Sequence, residues 1–224
     1  MLINKEKFNQ VVTELKSKNV GLVAVSKTKS PEAITELYQL GQKDFGENYV
    51  QELVDKQAQL PTDINWHFIG HLQTNKVKFI APFVHLIHGV DSLKLIKEIN
   101  KQGEKNNRVI KILLQLHIAE EDTKFGLNEN ELAEILDLVL SSAAEFKNVC
   151  IVGLMGMASF SNDEAQVRKE FHYLKSLFDK HKLKTAETCQ LEILSMGMSG
   201  DYLIAIEKGS TLVRIGSLIF GSRT

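Results

Sequence analysis

Three stretches of this chain concentrate residues suited to holding an anion and presenting an amine. LSMGMSGD (residues 194–201) carries glycines around Ser199, and VRIGSLIFGSR (213–223) sets Gly216 and Ser217 straight after an apolar run. A missing Cβ lets backbone N–H groups approach an anion, and serine adds a hydroxyl. If Ser199 and Gly200 lead into a helix over 201–208, free N–H groups and the positive end of its dipole favour a phosphate there. VAVSKTKS (23–30) brings two lysines. Period-two alternation puts Val23, Val25 and Lys27 on one face, with Ala24 and Ser26 on the other. Lys27 is the candidate for amine chemistry, because partial desolvation favours the neutral, nucleophilic form. Lys29 is expected to reach solvent. Arg214 shares its parity with Leu212 and Gly216, where it either pairs with an inward carboxylate or meets a ligand.

Other chemistry is poorly served. His67 and His71 stand four residues apart, but they straddle a strand end and a loop, so no metal site is expected. No Ser/His/Asp or Cys/His arrangement emerges from spacing. Cys150 and Cys189 are far apart with no CxxC, which predicts two buried thiols of a reduced cytoplasmic protein.

Positioning such residues falls to short β-rich runs that alternate with helical periodicity. Strands are predicted at 20–25, 44–46, 65–69, 86–90, 109–117, 149–154, 191–195 and 211–215. A helix over about 5–17 precedes the first. Ser30-Pro31 offers an N-cap and a proline at N1, with Gly41 as the stop. Asn128 with Glu131, and Ser161 with Glu164, read as capping boxes. Eight βα units in 224 residues predict one α/β domain, 1–224: a single (β/α)8 TIM barrel with an additional N-terminal helix. In that fold the site lies at the C-terminal strand ends, with phosphate at the loops after strands seven and eight.

Composition fits this reading. The chain is 43% hydrophobic and 25% charged, with 27 Lys and Arg against 28 Asp and Glu. That balance gives no electrostatic reason to expect nucleic acid or a membrane surface as partner. The most apolar stretch, 149–160, is too short to span a bilayer. No GxGxxG follows the first strand, which argues against dinucleotide binding.

The blocks VAVSKTKS, DFGENYVQE (44–52), WHFIGHLQTNK (66–76) and LSMGMSGDYLIAIEKGSTLVRIGSLIFGSR (194–223) resemble the pyridoxal phosphate (PLP) homeostasis family, also called YggS/PROSC. The resemblance covers nearly the whole chain. It implies a PLP-binding barrel similar to the alanine racemase N-terminal domain, with PLP held as an aldimine on Lys27. It places Ser199, Gly216 and Ser217 around the phosphate, Arg214 beside the pyridine nitrogen, and Asn48 near the ring. His117, Gly156 and Ser159 depart from the pattern, leaving those anchors intact.

Two expectations about turnover follow from the resemblance. An arginine cannot accept the ring nitrogen's proton, so the cofactor would be a weak electron sink. The sequence also stops nine residues after the eighth strand, without the β-domain that gives a racemase its second acid/base. The expected role is a PLP carrier in intracellular vitamin B6 homeostasis, not an enzyme. It would be a monomer, with apo PLP-dependent enzymes as possible recipients. Alternatives are a PLP-dependent amino-acid racemase of low activity and a Schiff-base aldolase for sugar phosphates.

Overall fold

Strands that are apolar on both faces need cover on both sides. The chain supplies it by closing its sheet and wrapping it in helices. The computed structural model describes residues 2–120 and 125–221. Its strands are β1 (Gly21–Val25), β2 (Asp44–Glu47), β3 (Asn65–Phe68), β4 (Leu86–Val90), β5 (Ile110–Leu116), β6 (Val149–Gly156), β7 (Cys189–Met198) and β8 (Leu212–Ile215). Neighbours in sequence pair in parallel, and β1 also pairs with β8, which closes the barrel.

A helix α1 (Lys5–Ser17) precedes β1. Between successive strands come α2 (Pro31–Gln39), α3 (Val50–Gln59), α4 (Val77–Ile80), α5 (Leu93–Lys105), α6 (Glu129–Ser141), α7 (Glu164–His181) and α8 (Tyr202–Glu207). A last short helix, α9 (Ser217–Phe220), follows β8 and packs against α1. The expected barrel with its N-terminal helix is present.

Most of the predicted punctuation holds. Ser30 caps α2 ahead of Pro31, and Gly41 follows its end at φ +95°. Asn128 and Glu131 form the reciprocal capping box of α6. The second predicted box does not form. Asp163 caps α7 instead, its carboxylate accepting from the N–H groups of Ala165 and Gln166. Ser161 sits two residues earlier and accepts from the N–H of Asp163. An aspartate two residues further on competes as well as serine for the same free donors. The buried face of α7 is nonetheless the expected one: Val167, Phe171, Leu174 and Phe178. Each contributes roughly 1.5–3 kcal/mol by leaving water.

Strand ends differ most at β6 and β7, which run on to Gly156 and Met198. Within the β7 extension Gly197 takes φ +96°, and a Cβ there would lie 2.5 Å from that of Ala205. A glycine in SMGM reads as a loop in sequence, yet here it lies within the strand, where the register with β8 shifts between Ser195 and Met198.

The barrel separates two cores. The larger lies between helices and sheet. The smaller joins Leu86, Leu113, Cys150, Val152 and Met155, all on strands, inside the barrel. Both cysteines are buried free thiols, as expected. Beside the inner apolar cluster runs a polar file of His67, His88, Ser195 and Arg214, each buried.

Candidate functional site

At the C-terminal ends of the strands lies a cavity of about 610 Å³. Lys27, Asn48, Ser199, Arg214, Gly216 and Ser217 all line it. Residues that stand up to 190 positions apart in sequence therefore share one space, with β1, β2, β7 and β8 supplying them.

Lys27 follows β1 on a turn held from below by buried charges. Glu47, at the end of β2, accepts from the Ser26 hydroxyl (2.5 Å) and from Lys56 (2.8 Å). Lys56 also donates to the Ser26 carbonyl (2.8 Å) and to Glu52 (2.7 Å), and Glu52 accepts from the Thr28 N–H (2.6 Å). Both neighbours of Lys27 are thus pinned, and Thr28 is held at φ +64°. Burial raises the Glu47 carboxyl to about 7 even though Lys56 pulls it down. Its second oxygen, Oε2, is buried without a partner, so nothing there favours the anion.

Lys29 departs from expectation. It is half-buried and lines the same cavity, because its N–H turns back onto the Ser26 carbonyl (3.0 Å). Strand alternation does not extend around such a turn.

Arg214 meets the two alternatives offered by its parity in an unexpected way. Its partners are not a carboxylate but the Ser195 carbonyl (2.9 Å), the Ser195 hydroxyl (2.6 Å) and the Gly156 carbonyl (3.2 Å). Burial pushes its guanidinium down to about 10, against the field of Asp201. It remains a cation at neutral pH, aimed at the cavity by neutral acceptors.

Across the mouth, Ser199 Oγ accepts from the Gly216 N–H (3.3 Å), tying the β7 loop to the start of α9. The position a Cβ would take on Gly200 has nothing within 4 Å. Asn48 sits where β2 turns into α3, and its Oδ1 is buried without a partner. Gly70 makes that turn possible, since a Cβ there would lie 2.3 Å from the Asn48 carbonyl oxygen.

The two histidines spaced by four point apart. His67 lies inside the barrel, whereas His71 is half-exposed, 3.5 Å from Asp91 and stacked on Phe125. Ser159 is buried and bonded to Glu170 (2.6 Å). A Cβ on Gly156 would press on Leu174 and Ile118. Sequence reasoning missed the Glu47–Glu52–Lys56 clamp and the His88–Ser195 support of Arg214. A polar residue at inward parity in an apolar strand, as in LIHGV, is the signal that could have found His88.

The fold and its mouth define a class: a closed parallel α/β barrel in which a lysine after the first strand and serine–glycine loops after the last two line one cavity. The chain matches the family described as alanine racemase, N-terminal domain, over residues 4–224. It is 43% identical over 203 residues to the pyridoxal phosphate homeostasis protein of Aquifex aeolicus, covering 90% of this chain and 86% of the relative. The human pyridoxal phosphate homeostasis protein is 41% identical over 212 residues, covering 90% and 76%. PipY of Synechococcus elongatus, solved without PLP, superposes with a TM-score of 0.89 at 32% identity, covering 96% of this chain and 99% of PipY. The PLP-bound form of PipY gives 0.84. The chain belongs to the family of pyridoxal phosphate homeostasis proteins. The Aquifex and human relatives are named for homeostasis and not for a catalysed reaction.

Proposed function

We propose that this protein binds PLP at the barrel mouth through Lys27 and serves PLP homeostasis without efficient amino-acid turnover. The observation that carries the proposal is the convergence of an amine, a buried cation, an orphaned Asn48 oxygen and a glycine-lined lip on one cavity. The residues present suit the cofactor: Gly200 leaves open space, and Asn48 Oδ1 lacks a partner that a ligand can supply. Bound there, PLP supplies an aldehyde that condenses with a primary amine, and a phosphate dianion. Lys27 offers the amine. The Ser199 hydroxyl and the backbone at Gly216 and Ser217 would hold the phosphate. Arg214 would face the ring nitrogen, where it can donate but never accept a proton. Asn48 would lie beside the ring.

The weak-turnover part rests on what lines the cavity. Among the described residues there, the side chains that could move a proton are Lys27, Lys29 and Asp201; no histidine or tyrosine is included. Loss of a positioned acid/base costs about 10²–10⁴-fold in rate. Tyr49 and His71 line a neighbouring cavity, and Asn48 lines both. No described feature favours the racemase alternative. Two buried thiols suit the cytoplasm, and a monomer remains the proposed state. Apo-enzymes are the proposed recipients of the cofactor. Among the described residues no helix is long and apolar enough to cross a membrane.

The test is borohydride reduction of the PLP-loaded protein followed by peptide mass mapping. A pyridoxyl group on Lys27 is expected. Labelling of Lys29 or another lysine would overturn the assignment.

A further inference from the structure

The opposite end of the barrel holds a second convergence. Asp44 opens β2, His67 lies within β3, and His85 immediately precedes β4. One ligand atom from each lies within 4.8 Å of the other two. We propose that Asp44, His67 and His85 bind a divalent transition-metal ion of the zinc class, with water completing the coordination.

The spacing is close to what such an ion needs. His67 Nε2 and Asp44 Oδ1 are 3.0 Å apart. Two ligands at bonds of about 2.0–2.1 Å and tetrahedral angles stand roughly 3.3 Å apart. A metal can therefore replace the shared proton if ring and carboxylate part by a few tenths of an ångström. His85 is an exposed residue, with its ring centroid 5.3 Å from that of His67. That exposure also gives the ion its way in.

An outer shell is already built. The other nitrogen of His67, Nδ1, lies 3.0 Å from His88 Nε2, and His88 Nδ1 lies 3.2 Å from Ser195 Oγ. A ligating histidine characteristically has its second nitrogen held in this way, which fixes ring orientation and tautomer. Here the holder is itself fully buried. Asn65 donates to Asp44 Oδ1 (3.2 Å), orienting the carboxylate.

Two nitrogens and one carboxylate select zinc, copper or nickel over magnesium or calcium. Lys111 and Arg108 lie close enough to act on His85, so their charge tempers affinity without removing a ligand.

The experiment is calorimetric titration of the full chain, free of any affinity tag, with zinc chloride. Cobalt chloride provides a parallel optical readout. One saturable zinc site is expected, with a cobalt visible band lacking the thiolate charge-transfer absorption that Cys150 or Cys189 would produce. Magnesium chloride should give no binding. His85→Ala alters an exposed residue, and Asp44→Asn keeps an amide within reach of His67, so both should fold. Each should weaken zinc at least about 10-fold, the lower range for disturbing a metal's ligand sphere. Lys27→Ala should leave zinc binding unchanged, which separates this site from the cofactor proposal. No saturable zinc binding by the native chain, or undiminished affinity in either His85→Ala or Asp44→Asn, would overturn the assignment.

Discussion

Lys27 and Lys29 share a cavity two residues apart, so the sharpest test at the scale of single residues separates them. In the proposed site only Lys27 emerges from a turn pinned on both sides, by Ser26 and Thr28. Lys27→Ala should abolish the visible absorption of the PLP-loaded protein, whereas Lys29→Ala should keep it. Weak PLP binding should survive in Lys27→Ala through the phosphate loops and be detectable by equilibrium dialysis. Ser195 offers a second test. Its hydroxyl accepts from the buried Arg214 at 2.6 Å, and hydrogen bonds to charged groups contribute about 1.5–3 kcal/mol. Ser195→Ala should destabilise the fold by that amount in urea unfolding. The Ser195 carbonyl still holds Arg214, so the guanidinium should stay at the mouth.

At the scale of elements, the β1 turn depends on a charge cluster between β2 and α3. Lys56 and Glu47 are both buried, and Lys56 bonds two carboxylates and a carbonyl. Removing one partner of a buried pair typically costs about 3–5 kcal/mol. Lys56→Met should lose stability on that order, and PLP binding should weaken as the turn loosens. Glu47 also makes the fold sensitive to pH. Its carboxyl binds a proton more tightly in the folded chain, at about 7, than at the ordinary 4.5. The folded state therefore carries more protons between these values, and stability falls as pH rises through that window, then levels off above about 7. The loss is on the order of 3 kcal/mol. Urea unfolding across that range should show the slope in the native chain and a flatter profile in Glu47→Gln.

For the whole molecule, the proposal of a carrier and not an enzyme turns on two measurements. Pyridoxal without its phosphate should bind far more weakly than PLP, since the lip after β7 and β8 would hold only the phosphate. Equal affinity for the two would remove the basis for that part of the site. Incubation with L- and D-amino acids in deuterated water should show no sustained α-proton exchange or inversion at about 1 s⁻¹, the low end of ordinary enzymes. A spectral shift alone is compatible with carriage, because amine exchange at an open site needs no proton moved at the α-carbon. Sustained inversion would demand a second base, and Tyr49 and His71 in the adjoining cavity are the first to substitute.

Much of this molecule was legible in its residue order, because the information was local. Alternation within VAV carried Lys27 to the inward face, Ser30 and Asn128 marked helix starts, and the glycines of the last two loops marked the mouth. Where two local signals competed, as with Ser161 and Asp163, residue order could not say which side chain reached the free N–H groups first. The positive φ at Gly197 and the turn that brings Lys29 into the cavity also broke the alternation on which the reading depended. The polar file through the barrel lay wholly beyond it. His88 and Ser195 are 107 positions apart and meet only because the sheet closes. The same closure aims Arg214 at neutral acceptors and gathers Asp44, His67 and His85 at the far end. Side-chain periodicity tells each residue which face it takes, but barrel closure and strand register decide which inward residues share a level, and those are properties of the assembled sheet.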